Sequence, residues 1–181
     1  VAAQLGSKIP MILDGGACGV GVESTIIGFE NGQSYVYRLG GLAVEALENV
    51  LGKVELRLNQ SSNPAAPGQL KSHYAPRKPF FVTHDVDSEI RKIIDNQVVK
   101  NIENIAVVNF DNYSTLISMQ HQIVLSHAGD LHEAAKNLFA AMRQLDALPD
   151  VEMIVAQWLP NISLGRALND RLRRAATPTH D

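Results

Sequence analysis

The sequence predicts an α/β protein in two parts: a partial α/β domain of strand, hairpin and helix, followed by a doubly wound, mostly parallel sheet domain. Three observations predict it. From residue 80 onward, apolar runs of strand length alternate with stretches whose apolar residues recur at helical spacing, the pattern of parallel βαβ units. Before that point, Asn31-Gly32 lies between two segments rich in β-branched and aromatic residues, a strong hairpin signal. Between the two patterns, residues 59–79 hold Pro64, Pro67, Pro76 and Pro79 and show no periodicity, as a linker does.

Taken in order, residues 9–13 form an apolar run closed by Asp14-Gly15-Gly16, expected as a buried strand ending in a turn. Residues 24–29 and 34–38 are the expected hairpin strands. Over 42–51, Ala43, Ala46, Leu47 and Val50 recur at helical spacing, and Gly52 follows as a stop. Beyond the linker, strands are expected at 80–83, 105–110 and 122–126. A helix is expected at 87–95, with Ile90, Ile93 and Ile94 on one face, and a short one at 113–119. The helix over 131–146 has the fullest apolar face, from Leu131, Ala134, Ala135, Leu138, Phe139, Met142 and Leu145. Asp130 and Glu133 have the spacing of a capping box, with Asp in place of Ser or Thr. A strand at 153–156 and a helix at 164–176 complete the pattern. The expected division is therefore a truncated domain at 1–58, a linker at 59–79 and a complete domain at 80–181.

Bulk properties narrow the function classes. A chain of 181 residues that is 45% hydrophobic can bury a proper core. A formal net charge of −3 argues against a surface dominated by nucleic-acid binding, so any RNA contact must be local. The single cysteine, Cys18, excludes an intrachain disulfide and a cysteine cage, and fits a reducing compartment. No apolar run approaches the roughly 20 residues of a membrane span, and no signal-peptide pattern opens the chain. A cytoplasmic location without a membrane partner is expected. The opening on Val1, with the apolar run at 9–13 close behind, reads as the middle of a domain.

Four segments could carry chemistry. In the run from Gly15 to Thr25, four glycines lie between strand patterns; their backbone N–H groups can approach a phosphate, and the Ser24 and Thr25 hydroxyls can add hydrogen bonds to a phosphate or carboxylate. The same residues also read as a glycine-rich turn with solvated hydroxyls, and taken alone the motif is weak. Arg38, beside Gly40-Gly41 at a helix start, suits phosphate through its planar fork or pairs with a surface carboxylate. Lys71, His73 and Tyr74 sit in a proline-bounded loop able to fold over a nucleotide, or to pack its tyrosine and fix an interdomain angle. The last helix carries Arg166, Arg171, Arg173 and Arg174, which bind phosphate or RNA, or form a solvated face with local ion pairs. His121, His127 and His132 lack metal-ligand spacing, and neither a nucleophile elbow nor a phosphate loop with its lysine is present. Cys18 reads as a small packed residue.

Together these segments resemble one family. Asp14-Gly15-Gly16, Cys18-Gly19, Glu23-Ser24-Thr25, Arg38-Leu39-Gly40, Ala66-Pro67-Gly68 and His73-Tyr74-Ala75-Pro76 look like the latter part of a YrdC-type domain and its following linker. The closing Leu164-Gly165-Arg166-Ala167-Leu168-Asn169-Asp170-Arg171-Leu172-Arg173-Arg174-Ala175 is similar to the end of the accessory Rossmann-like domain in two-domain threonylcarbamoyl-AMP synthases. The resemblance implies a nucleotidyltransferase that condenses L-threonine, bicarbonate and ATP to threonylcarbamoyl-AMP and pyrophosphate, with Mg2+ accompanying the nucleotide, for threonylcarbamoyladenosine in tRNA. It implies that Ser24 contacts threonine, that Arg38 and Tyr74 contact the nucleotide, and that Thr25 and His73 stand nearby. No residue is implied as a general base or metal ligand. Gln69 departs from the apolar residue that many relatives carry in the linker. The family's nucleotide-site lysine and arginine are absent from this sequence, so the chain alone is expected to be inactive.

Two other readings stand beside it. One is an α/β module without its own catalysis, engaging double-stranded RNA or tRNA-modification partner proteins through the second domain or the basic last helix. The other is a free-standing nucleotide-binding domain with 1–58 as an appendage, which finds no glycine loop after residue 129 to support it.

Overall fold

The computed structural model describes residues 1–58 and 75–176, which form two sheets. A four-residue helix, α1 (Ala2–Leu5), precedes the first. That sheet begins with the expected hairpin, β1 (Ile26–Glu30) antiparallel to β2 (Gln33–Arg38). Asn31 and Gly32 both hold positive φ, 50° and 77°, as a two-residue primed turn requires. Helix α2 (Val44–Leu51) follows and ends where the Gly52 N–H bonds the Glu48 carbonyl. It leads into β3 (Val54–Leu56), parallel to β2. Three residues are too few for periodicity to reveal, and sequence reasoning did not anticipate β3.

The second sheet contains β4 (Phe80–Thr83), β5 (Ile105–Asn109), β6 (Gln122–Val124) and β7 (Met153–Gln157), all parallel in the order β4-β7-β5-β6. Helix α3 (Val86–Asp95) covers one face; α4 (Leu131–Asp146) and α5 (Leu164–Ala175) cover the other. Strand alternation divides the core between them. Ile105, Val107, Met153 and Val155 meet Val86, Ile90 and Ile93 of α3, whereas Ala106, Val108, Ile154 and Ala156 join the cluster of Leu138, Leu168 and Leu172. The doubly wound, mostly parallel expectation is met. Asp130 caps α4, accepting from the His132 and Glu133 N–H groups at 2.6 and 3.1 Å.

Two expected elements are not formed. Residues 9–13 are not a strand, and all but Ile9 are exposed. Neither sheet places a strand beside them among the described residues, and an apolar run without a ladder partner has no reason to extend. The helix expected at 113–119 is replaced by bends and a short 3-10 turn at Met119–His121. Buried Gln122 takes the backbone groups that a helix would need. Its Oε1 accepts from the Ser114 N–H at 2.8 Å, and its Nε2 donates to the Ser114 and Ile117 carbonyls at 3.1 and 2.6 Å.

The parts meet along α5, which is buried on two sides. Leu164, Leu168 and Leu172 enter the larger core, while Ala167 packs with Val36, Leu39, Val44, Leu47 and Val54. Glu45 of α2 accepts the Ser163 N–H at 3.2 Å and pairs with Arg166 at 3.2 Å. Its own backbone N–H, then that of Ser163 and the charge of Arg166, hold the Glu45 carboxyl below its ordinary pKa against the opposing effect of burial. Gly21, at φ +80°, lies directly on α4; a Cβ there would stand 2.5 Å from Lys136 Cα and closer still to the Ala135 carbonyl.

Candidate functional site

The segment 23–25 and the turn 38–42 are stitched side by side. Arg38 at the end of β2 donates from Nε to the Ser24 carbonyl at 3.0 Å and from Nη2 to Ser24 Oγ at 3.1 Å. The Gly41 N–H bonds the Glu23 carbonyl at 2.8 Å. Thr25 Oγ1 donates to the Leu42 carbonyl at 2.7 Å and accepts the Leu42 N–H at 3.1 Å. Gly40 permits this approach, since a Cβ there would lie 2.5 Å from Thr25 N and nearer to Glu23 O. The result is a wall with an exposed Ser24 and a half-buried Arg38 side by side. It presents a cation and a hydroxyl, suited to an anionic or polar ligand.

Behind this wall stands Arg171 of α5, whose side chain is fully buried. It donates from Nε and Nη2 to Glu23 Oε2 at 3.1 and 2.8 Å, from Nη2 to the Leu39 carbonyl at 2.8 Å, and from Nη1 to Asp170 Oδ2 at 2.8 Å. Arg174 returns to the same Asp170 with bonds of 2.9 and 3.1 Å. The solvated-face expectation for this helix is therefore corrected: Arg171 and Arg174 are buried because α5 has protein on both sides. Only the local pairing survives, as the buried Arg174 to Asp170 contact. Of the four arginines, Arg166 is half-buried and Arg173 is exposed, its guanidinium 5.8 Å from the centre of the Trp158 ring.

Of the residues singled out from sequence, Ser24 and Arg38 are brought together, and Thr25 is spent on tying Leu42 to the segment that leads into β1. His73 and Tyr74 lie outside the described residues. Cys18 is exposed rather than packed and, with Gly19, lines a cleft of about 690 Å³ whose far side bears Lys136 and Arg143 of α4. Another cleft, of about 410 Å³, lies at the carboxyl ends of β4, β5 and β7, the place where doubly wound sheets open. Its acids are engaged locally: Asp85 caps α3 through the Ser88 N–H, and Asp87 holds Ser114 and Thr115. His121 pairs with Asp150 at 2.8 Å, and His127 meets Tyr113. Among the described residues no group of three His, Cys, Asp or Glu side chains is placed to hold a metal ion, and no helix is long and apolar enough to cross a membrane.

Sequence reasoning missed Glu23 and Arg171 as a pair. The signal was there. Leu164, Ala167, Leu168, Arg171, Leu172 and Ala175 follow the spacing of one helical stripe, so Arg171 occupies an apolar position and demands a buried acid.

A family model, "Threonylcarbamoyl-AMP synthase, C-terminal domain", matches residues 42–177. The threonylcarbamoyl-AMP synthase of Bacillus subtilis is 28% identical over 97% of this chain and 51% of its own length. That of Pyrococcus abyssi is 32% identical over 97% and 52%, and that of Schizosaccharomyces pombe 32% identical over 96% and 47%. The crystal structure of P. abyssi Sua5 complexed with L-threonine superposes with a TM-score of 0.79 at 30% identity, covering 97% of this chain and 52% of that one. The chain spans about half the length of the curated relatives it matches. Agreement of the family model over most of the chain with the shared fold establishes that this chain belongs to the threonylcarbamoyl-AMP synthase family.

Proposed function

We propose that this chain is the latter part of an enzyme that condenses L-threonine, bicarbonate and ATP to threonylcarbamoyl-AMP and pyrophosphate for tRNA modification in the cytoplasm. Residues 1–58 would be the end of the catalytic domain, 59–79 the linker, and 80–181 the accessory domain. The observation that carries the reading is the contact of Arg38 with Ser24. Two motifs 14 residues apart meet there, and their cation and hydroxyl form one wall of a polar site.

In the proposed reaction, the threonine amine and bicarbonate form a carbamate with loss of water. A carbamate oxygen then attacks the α-phosphorus, and the bond from that phosphorus to the β-phosphate bridge breaks to release pyrophosphate. Ser24, held by Arg38, orients threonine through its hydroxyl. Arg38 offsets the nucleotide's negative charge, and Tyr74, with His73 beside it, closes over the nucleotide from the linker. Positioning and charge neutralisation supply much of the rate in such a transfer, so the wall needs no general base of its own. Its donors suit phosphate oxygens rather than a resident metal, and Mg2+ arrives as the counter-ion of the ATP phosphates.

Binding of RNA through the last helix has little to work with, since Arg171 and Arg174 are inside, half-buried Arg166 is paired with Glu45, and Arg173 is left as the exposed one of its four arginines. The test is pyrophosphate release from ATP by the full-length protein. Release that requires both threonine and bicarbonate is expected there, with none from residues 1–181 alone. A full-length protein that releases no pyrophosphate under these conditions refutes the reading.

A further inference from the structure

We propose that Arg171 is a positioning residue through which the accessory domain holds the substrate wall in register. This rests on the reading of Ser24 and Arg38 given above. The wall consists of two segments, and Arg171 grips both next to the residues that face the ligand: Glu23 precedes Ser24, and Leu39 follows Arg38. One guanidinium thus spans the gap that the Arg38 to Ser24 bonds span from the other side. The grip is stiff. The Arg171 side chain is fully buried, and its third contact, Asp170, is itself held by Arg174. A planar fork bonded on three sides cannot rotate without breaking several charge-assisted bonds at once.

Arg171 touches no ligand. It acts by fixing where the Ser24 hydroxyl and the Arg38 guanidinium stand relative to each other. If α5 shifts, Glu23 and the Leu39 carbonyl shift with it, and both substrate-facing groups move. The accessory domain is thereby coupled to the catalytic half through an ion pair whose arginine is fully buried and whose carboxylate is half-buried. A misplacement of about 1 Å in positioned groups costs about a hundredfold in rate.

The test compares Glu23→Gln, Arg171→Lys and Arg171→Met in the full-length protein, with Ile90→Val as a control in α3, on the far side of the second sheet. Glu23→Gln keeps an acceptor toward Arg171 without the charge, so it is measurable even if Arg171→Met fails to fold. We expect kcat/KM for threonine to fall about ten- to a hundredfold in Glu23→Gln and Arg171→Met. Arg171→Lys, which retains the charge but not the fork, should fall between these and the parent. Ile90→Val should lower the melting temperature while leaving kcat/KM within about twofold of the parent. Glu23→Gln and Arg171→Lys that fold and keep kcat/KM within about twofold of the parent overturn the proposal and leave Arg171 as an interdomain staple. A parent without threonine-dependent turnover overturns the functional reading, and this proposal with it.

Discussion

Replacing Gly21 by alanine tests whether the glycine turn is seated on α4. Gly16 and Gly21 both hold φ +80°, where an L side chain costs about 1–2 kcal/mol. They differ in their surroundings. A Cβ on Gly16 meets open space, whereas one on Gly21 would lie 2.5 Å from Lys136 Cα and overlap the Ala135 carbonyl. Carbon atoms rest about 3.5–4.0 Å apart, so the helix or the turn must yield by roughly 1 Å. Both offending atoms are backbone in a helix whose Ala135 is fully buried, which leaves no flexible side chain to swing aside. Overpacking of this kind costs about 1–3 kcal/mol beyond the backbone strain. Gly21→Ala should therefore melt roughly 2–12 °C below Gly16→Ala for a protein of this size. Thermal unfolding of the two variants beside the parent measures the difference, and limited proteolysis of the 9–22 segment shows whether the turn has lifted. If the two variants melt within about 1 °C of each other, the turn does not rest on α4.

Asn169 closes a second joint, donating to the Leu159 carbonyl at 2.9 Å and accepting the Leu159 N–H at 3.0 Å. Asn169→Ala strands two buried backbone groups at about 1–3 kcal/mol each, so urea unfolding should show a loss of about 2–6 kcal/mol; a loss under about 1 kcal/mol would contradict the pairing. Leu168 is fully buried in the larger core, and Leu168→Ala should cost about 2–5 kcal/mol in the same measurement. Asp130 titrates below the ordinary aspartate value because the Glu133 N–H, then the His132 N–H, bonds its carboxylate. Its contribution is therefore fully present above the unfolded value, about pH 3.9, and is lost as pH falls through the lower folded value. Asp130→Asn should flatten the decline of the urea midpoint below about pH 4, and a decline as steep as in the parent would count against the cap.

Much of the second sheet and its helices was legible because these elements are long or strictly patterned. The 131–146 helix and the 80–83 strand are found at the residues expected, since each shows one clear period and clean boundaries. The hairpin was legible for a local reason, the tolerance of Asn31 and Gly32 for positive φ. What failed depended on partners far away in sequence. Residues 9–13 have a strand's composition but, among the described residues, no neighbouring strand, and 113–119 has a helix's composition but loses its backbone groups to Gln122. The candidate site divides the same way. Ser24 and Arg38 were legible through their motifs, yet their contact required the fold. Arg171 was read as surface charge because a count of charges along a helix ignores which stripe each one occupies.

Sharing α5 between two cores also orders events during synthesis. The segment bearing Glu23 and Leu39 leaves the ribosome more than a hundred residues before Arg171 exists to meet it. At roughly 5–20 residues per second, that interval lasts several seconds to half a minute. Throughout it, the surface destined for α5 faces water. A carboxylate there remains hydrated and repels like-charged neighbours, whereas an apolar residue of the same size would offer nascent chains a place to adhere. The Glu23 carboxylate thus adds a charge to a face that, until α5 packs on it, also exposes Leu39, Val44 and Leu47.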